Sequence, residues 1–317
     1  AGAVLMMLRF VPQFGLKGIW IAAFTSISAF CNAGFDILGF VMKDGNLIPY
    51  VSDPLICLTV ESLIVIGGIG FIVVGDIYYS QILKRIHKEK PEHLNFHSTI
   101  ALGMTAILII VGTVLFFLCE SDNTLKGMDF GTKLNASLFQ SISPRTAGFC
   151  TVDIAKEHDF TKMITVILMF IGASPAGTGG GIKTTTFVVL VAAVVSVMKG
   201  NEDATILKRR LDKSTVYRSL SIVFSAALLV LITTGIILSA DPDVSGVDAL
   251  FEATSGFGTV GLSAGVTQTL SWISKLAVTF TMYVGRVGPV SLGLALTLQK
   301  GHHSTGSILP EGKVIVG

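Results

Sequence analysis

Apolar residues in this chain gather into long runs, without the alternation of a half-buried strand or the one-sided stripe of a surface helix. The runs at 54–75, 99–118 and 219–240 hold a single charge between them, Glu61. Each reaches the ~20 residues that a helix needs to cross a hydrocarbon core, so three unbroken spanning helices are expected. A fourth run, 276–299, carries Arg286 in its middle. Two more, 163–173 and 186–198, are too short to span alone. A single helix over 163–198 would be roughly 54 Å long against a core of ~30 Å, so it must tilt steeply or break. Ser174–Lys183 is the expected break.

Charge changes the picture by giving it a direction. Lys84, Arg85, Lys88 and Lys90 share one loop, and Lys199, Lys208, Arg209, Arg210, Lys213 and Arg218 share another. The remaining loops lean acidic, with Asp36, Asp44, Asp53, Glu120, Asp122, Asp129, Asp241, Asp243 and Asp248. The positive-inside rule places the basic loops in the cytoplasm and the acidic ones outside. With hydrophobic residues at 51% and charged residues at 14%, against ~25% charged in soluble domains, the chain reads as an all-α polytopic membrane protein. No nucleic-acid motif appears. Cys31, Cys57, Cys119 and Cys150 lie in or beside apolar runs with no CxxC pair, which reads as buried packing in place of disulfides or zinc. His93 and His97 have metal-pair spacing without a third ligand and read as a solvated loop.

Three short segments repeat: FTSISAFCNAGF (24–35), FQSISPRTAGF (139–149) and FEATSGFGTVGL (251–262). Each opens on a phenylalanine (Phe24, Phe139, Phe251) and closes on a glycine and an apolar residue. The glycines, Gly34, Gly148 and Gly261, are 114 and 113 residues apart, and the middle copy is one residue shorter. Each is read as lying just after an outside loop and is too short to cross, which suits a re-entrant half-helix followed by extended chain. Irregular backbone at membrane depth survives only when buried in protein or lining a watery cavity. Three such segments at constant spacing therefore suggest one shared cavity. The T-V-G of Thr259–Gly261 and T-A-G of Thr146–Gly148 are similar to the potassium-channel filter, where carbonyls replace the ion's hydration shell.

Together with GRVGP (285–289) and SPAGTGGGIKTTT (174–186), these motifs resemble the Trk/Ktr/HKT superfamily of potassium transporters over essentially the whole chain, with the membrane subunit of the bacterial Ktr system most alike. The resemblance implies pseudo-fourfold membrane–pore–membrane repeats of the potassium-channel type, three filter loops being present here. Residues 1–80 then form the second repeat, 81–200 the third with a gate loop at 173–183, and 201–300 the fourth, followed by a tail at 301–317. It also implies potassium uptake, a homodimer in membrane lipid and a cytosolic ring of nucleotide-binding regulatory subunits. Sodium dependence is common among Ktr members. No cofactor is expected, potassium being the substrate. The filter positions carried over are Cys31, Asn32, Ala33 and Gly34; Arg145, Thr146, Ala147 and Gly148; and Gly258, Thr259, Val260 and Gly261. Arg145 is expected to brace its loop from behind, since a cation facing the ion path would repel potassium. Cys150 stands where the family often has asparagine, and a place behind the filter is expected for it.

The segment SPAGTGGGIKTTT also comes close to a phosphate loop, G-x-x-x-x-G-K-[ST], with Lys183 and Thr184 in register from Gly177. Ile182 replaces the glycine that should precede the lysine, and no β-strand leads in. The resemblance instead makes Ser174, Pro175, Ala176, Gly177, Thr178, Gly179, Gly180, Gly181 and Lys183 an intramembrane gate, with Arg286 a barrier charge beside it. A structural ion pair of Arg286 with Glu61 or Asp76 is the alternative. A secondary transporter of a small solute is the competing function, since it too uses broken helices. Its repeats are commonly inverted, whereas these share one orientation. No HExxH, GxSxG or paired aspartates suggest an enzyme. Stepping back about one repeat from Gly34 places a fourth filter loop before residue 1, so an N-terminal repeat of roughly 120 residues is expected beyond this chain.

Overall fold

In a computed structural model, which describes residues 1–42, 45–90, 92–201 and 203–288, the chain is helical apart from one small hairpin. The helices fall into three successive groups of outer helix, short inner helix and outer helix. The first group comprises α1 (Gly2–Phe14), α2 (Lys17–Phe30), α3 (Pro54–Gly68) and α4 (Phe71–Ile77). A π-helical stretch, Tyr78–Leu83, and α5 (Lys84–Ile86) lead out of it. The second comprises α6 (Phe96–Glu120), α7 (Phe130–Ile142), α8 (Asp159–Phe170) and α9 (Thr184–Met198). Strands β1 (Thr205–Ile206) and β2 (Arg209–Arg210) precede the third, made of α10 (Lys213–Ala240), α11 (Gly246–Gly258) and α12 (Trp272–Val287).

Local chemistry starts the inner helices of the second and third groups. Asp129 caps α7 by accepting from Thr132 N, and Ser245 caps α11 by accepting from Asp248 N. Such caps satisfy backbone donors that a helix start leaves free. Phe139 and Phe251, the first residues of their motifs, are fully buried where α7 and α11 pack into the bundle. Residues such as Ile110, Val114 and Leu118 of α6 face outward. An apolar outer surface is what a bilayer solvates, so burial against protein is not required of it.

α6 and α10 are each long and apolar enough to cross a membrane. The run at 54–75 is not one helix: α3 and α4 meet at 97° across Ile69–Gly70. The carbonyls of Gly67 and Gly68, freed by this bend, accept from Thr178 N and Ser174 N, and Phe71 N donates to Ala176 O. A segment from another repeat thus occupies the backbone groups that an unbroken helix would have paired internally. The break at 171–183 separates α8 from α9. The last run starts earlier than its apolar residues suggest, at Trp272, so Arg286 sits in the final turn of α12 and not midway along a helix. Residues 289–317, with part of the last run and the tail, lie outside the described residues.

Two further expectations change. Cys31 is exposed, unlike the buried Cys57. His97 belongs to the first turn of α6 and is half-buried, while His93 is exposed in the preceding loop.

Candidate functional site

The three repeated segments fold into the same backbone turn. Each inner helix ends and is followed by a residue in the left-handed region: Asn32 (φ 48°), Thr146 (φ 76°) and Thr259 (φ 50°). Two residues later comes the glycine, Gly34 (φ 71°), Gly148 (φ 79°) or Gly261 (φ 90°). Ordinary extended chain sends successive groups to opposite sides. Putting every second residue at positive φ offsets that alternation, so neighbouring carbonyls can line one side.

A serine fastens each turn. Ser28, Ser143 and Ser255 stand four residues after Phe24, Phe139 and Phe251. Their carbonyls accept from Ala33 N, Ala147 N and Val260 N, each at 2.9 Å. Their hydroxyls donate across the turn to Phe35 O, Phe149 O and Leu262 O. Sequence reading missed these serines as functional positions, although their constant offset from the phenylalanine was a usable signal.

The turns meet. A Cβ on Gly148 would lie 2.2 Å from Val260 O and 3.0 Å from Gly34 Cα. One on Gly34 would lie 2.9 Å from Ala147 O and 3.0 Å from Val260 O. Backbone oxygens from two segments therefore approach the third, and only glycine admits the contact at Gly148. Helices α2, α7 and α11 all end beside this centre, and helix C-termini carry partial negative charge that favours a cation.

Polar side chains form a layer next to the turns. Both amide atoms of Asn32, and Oγ1 of Thr146 and of Thr259, are buried with no hydrogen-bond partner among the described residues. The 171–183 loop closes on this layer. A Cβ on Gly179 would come within 2.0 Å of Thr146 Oγ1, and one on Gly180 within 2.4 Å of Thr259 Oγ1. Ser174 is buried and shares a hydrogen bond with Thr184 Oγ1 at 3.0 Å. Pro175, Gly177, Thr178 and Gly181 are partly buried, and Ala176 (φ 59°) is exposed. Two cations hold the loop from its other face: Lys183 Nζ donates to Gly179 O, and Arg286 Nη1 to Thr178 O, both at 2.7 Å. Lys183 and Arg286 also line a cavity of about 200 Å³ with Thr186 and Gly285. The structure thus brings the expected gate residues together, directly against the repeated turns.

Neither carboxylate considered for Arg286 reaches it. Asp76 accepts from Asn95 N and Nδ2, and Glu61 is buried with one carboxylate oxygen unpartnered among the described residues. Arg145 is 5% exposed and points away from the turns, donating to Thr105 Oγ1 of α6 at 3.2 Å. Cys31 caps the end of α2, and Ala33 is partly buried. Gly258 is the buried last residue of α11. Cys150 is in front of the turns, not behind them: it lines a cavity of about 230 Å³ with Gly148, Gly261, Asn46, Asp153 and Ser263. Its N–H donates to Asn46 Oδ1 at 2.9 Å.

Fold and site together define a helical membrane chain with three equivalent turns around a shared centre, against one side of which packs the loop between α8 and α9. Residues 5–304 match the family model for TrkH, a cation transport protein, and the chain belongs to that family. It is 34% identical over its whole length to the potassium/sodium uptake protein NtpJ of Enterococcus hirae, covering 68% of that protein. It is 38% identical over 93% of its length to Ktr system potassium uptake protein B of Vibrio alginolyticus, covering 63% of it. The Bacillus subtilis protein of the same name is 32% identical over 99% of this chain, with 68% of its own length covered. The chain therefore spans about two thirds of the length of these relatives. A crystal structure of the potassium transporter TrkH from Vibrio parahaemolyticus has the same fold, with a TM-score of 0.68 at 17% identity, covering 93% of this chain and 62% of that one.

Proposed function

We propose that this chain lines a gated, potassium-selective uptake pathway across the cell membrane. The observation that carries the reading is the triple recurrence of one serine-fastened turn, with its three copies in contact. Carbonyls around Gly34, Gly148 and Gly261 would take the place of water around a dehydrated potassium ion. The side-chain oxygens of Asn32, Thr146 and Thr259 would form the inner end of the same path. These would be three of the segments of a four-part filter, one to each membrane–pore–membrane repeat, and the potassium/sodium uptake relative from Enterococcus hirae makes sodium a second candidate ion.

The 171–183 loop is the gate in this reading. It lies against the inner polar layer and is held there by Lys183 and Arg286, whose charges oppose a cation's passage. Opening would release Thr178 O and Gly179 O from these cations. The basic loops would face the cytoplasm, where a nucleotide-binding regulatory ring can reach them, and the membrane subunit would be a homodimer; the naming of two relatives as parts of a Ktr system fits a chain that works with a partner. The test is complementation: the complete protein should restore growth at low potassium to cells lacking potassium uptake. Growth restored equally by a Gly148→Ala variant would argue against the filter reading.

A further inference from the structure

The apolar surface of the second helical group is interrupted by a groove. It runs between α6 and α9, lined by Thr99, Gly103 and Ile107 on one side and Phe187 and Val191 on the other, with Leu207 of the hairpin at its end. The cavity is about 430 Å³. Thr99 to Ile107 covers roughly 12 Å of helix, close to the ~15 Å of hydrocarbon in one leaflet. The groove thus runs along most of the hydrocarbon depth of one leaflet, the depth over which an acyl chain packs against a helix.

Its lip has the opposite character. The hairpin is pinned to the end of α9 by Thr205 N donating to Ser196 Oγ and is closed by Leu211 N donating to Ala204 O. Its turn places two successive non-glycine residues in the left-handed region, Leu207 (φ 47°) and Lys208 (φ 63°). That conformation is costly for side-chain-bearing residues and persists where the surroundings impose it. Leu207 lines the end of the groove while itself 61% exposed, and Lys208 and Arg209 are exposed beside it at the lip. The Arg209 guanidinium stands 5.2 Å from the centre of the Phe96 ring, in the first turn of α6. This stacking keeps a cation beside the groove's mouth. Basic side chains beside a spanning helix are attracted to anionic headgroups of the cytoplasmic leaflet.

We propose that this groove binds one anionic phospholipid, with an acyl chain between α6 and α9 and its phosphate at Lys208 and Arg209. The inference rests on the placement of the basic loops at the cytoplasmic face and is independent of which ion the chain transports. α9 leaves the 171–183 loop at Thr184, so a lipid seated here would brace the helix on which that loop ends.

Native mass spectrometry of the complete protein, released from nanodiscs of equal phosphatidylglycerol and phosphatidylcholine, tests this without any transport measurement. The parent should retain phosphatidylglycerol several-fold over phosphatidylcholine. The double variant Lys208→Gln/Arg209→Gln should lose that preference while still binding phosphatidylcholine. Gly103→Phe should lose both lipids, because a Cβ at Gly103 meets open space and the ring can fill the groove. Thermal midpoints supply a second reading: phosphatidylglycerol should raise the parent's midpoint and glycerol phosphate should not. Equal retention of the two lipids by the parent would overturn the proposal, as would a preference that survives the double variant. A midpoint shift with glycerol phosphate equal to that with phosphatidylglycerol would make the lip a free-anion site. Conversion of a dimer to monomers by Gly103→Phe would make the groove a subunit interface, also against the proposal.

Discussion

The turns at Gly34 and Gly148 share a backbone and differ in everything around it. Phe149, the residue after the middle glycine, is 1% exposed, while its counterpart Phe35 is 69% exposed. The middle turn is braced by Arg145 on Thr105 and by Asn46 on Cys150. The first starts from an exposed Cys31. The same left-handed residue, glycine and serine fastening nevertheless recur in both. Burial therefore does not create the turn. It is set by local hydrogen bonds and by a glycine with no side chain to place, and the surroundings decide how much disturbance it tolerates.

The largest effect should separate the two glycines. Gly148→Ala places a Cβ 2.2 Å from Val260 O at a φ of 79°, a left-handed strain of ~1–3 kcal/mol before the overlap is counted. Rubidium uptake should fall at least tenfold. Gly34→Ala meets its nearest oxygen at 2.9 Å, on a more exposed segment, and should lose less. Equal losses would show that the surroundings do not matter. Next, deleting 176–181 should raise basal flux and weaken regulation, because it removes the glycines seated on Thr146 and Thr259. Arg286→Gln should act in the same direction more weakly, since Lys183 still holds Gly179 O. A deletion variant that folds and conducts at the parent rate would remove the gate assignment.

Smaller changes sharpen the comparison. Ser28→Ala, Ser143→Ala and Ser255→Ala each remove one fastening bond, at a cost of ~0.5–1.5 kcal/mol in chemical unfolding. Similar costs would support a turn set locally, whereas a cost confined to Ser143 would shift the credit to its buried surroundings. The last change, farthest from the ion path, concerns Glu157, in the loop after the middle turn. Burial raises its carboxyl from the ordinary 4.5 to about 8, and the charge of Glu120 adds to the rise. Between about pH 4.5 and 8 the folded protein holds a proton that the unfolded chain has released. Stability from this group therefore falls as pH rises through that window and levels off above it. Glu157→Gln should raise the thermal midpoint at pH 8 and leave it unchanged near pH 4.5. A parallel shift at both pH values would contradict this.

Much of the fold was readable: α6, α10 and the break before α9 follow from apolar run length, and the short inner helix ahead of each repeated glycine follows from the repeat. The break in α3–α4 was not, because hydropathy treats the glycines of GGIG (67–70) as neutral filler. What breaks that helix is a long-range exchange of backbone bonds with Ser174, Ala176 and Thr178. The site was readable at its glycines, whose spacing exposes the repeat, and less so at its serines, which look like ordinary small residues until their hydroxyls are seen crossing the turns. The direction of Arg145 and the front position of Cys150 depend on packing against α6 and against Asn46, which no local pattern records.

The central claim is that carbonyls at the three turns select potassium. Gly261→Ser tests it most directly, because a Cβ there meets no atom nearer than 4.0 Å, so crowding cannot explain a loss. Only the backbone at φ 90° is disturbed. Potassium and sodium fluxes should be compared in proteoliposomes holding equal amounts of folded parent and variant. The account predicts a lower potassium-over-sodium preference in the variant. An unchanged preference in folded, conducting protein would contradict it.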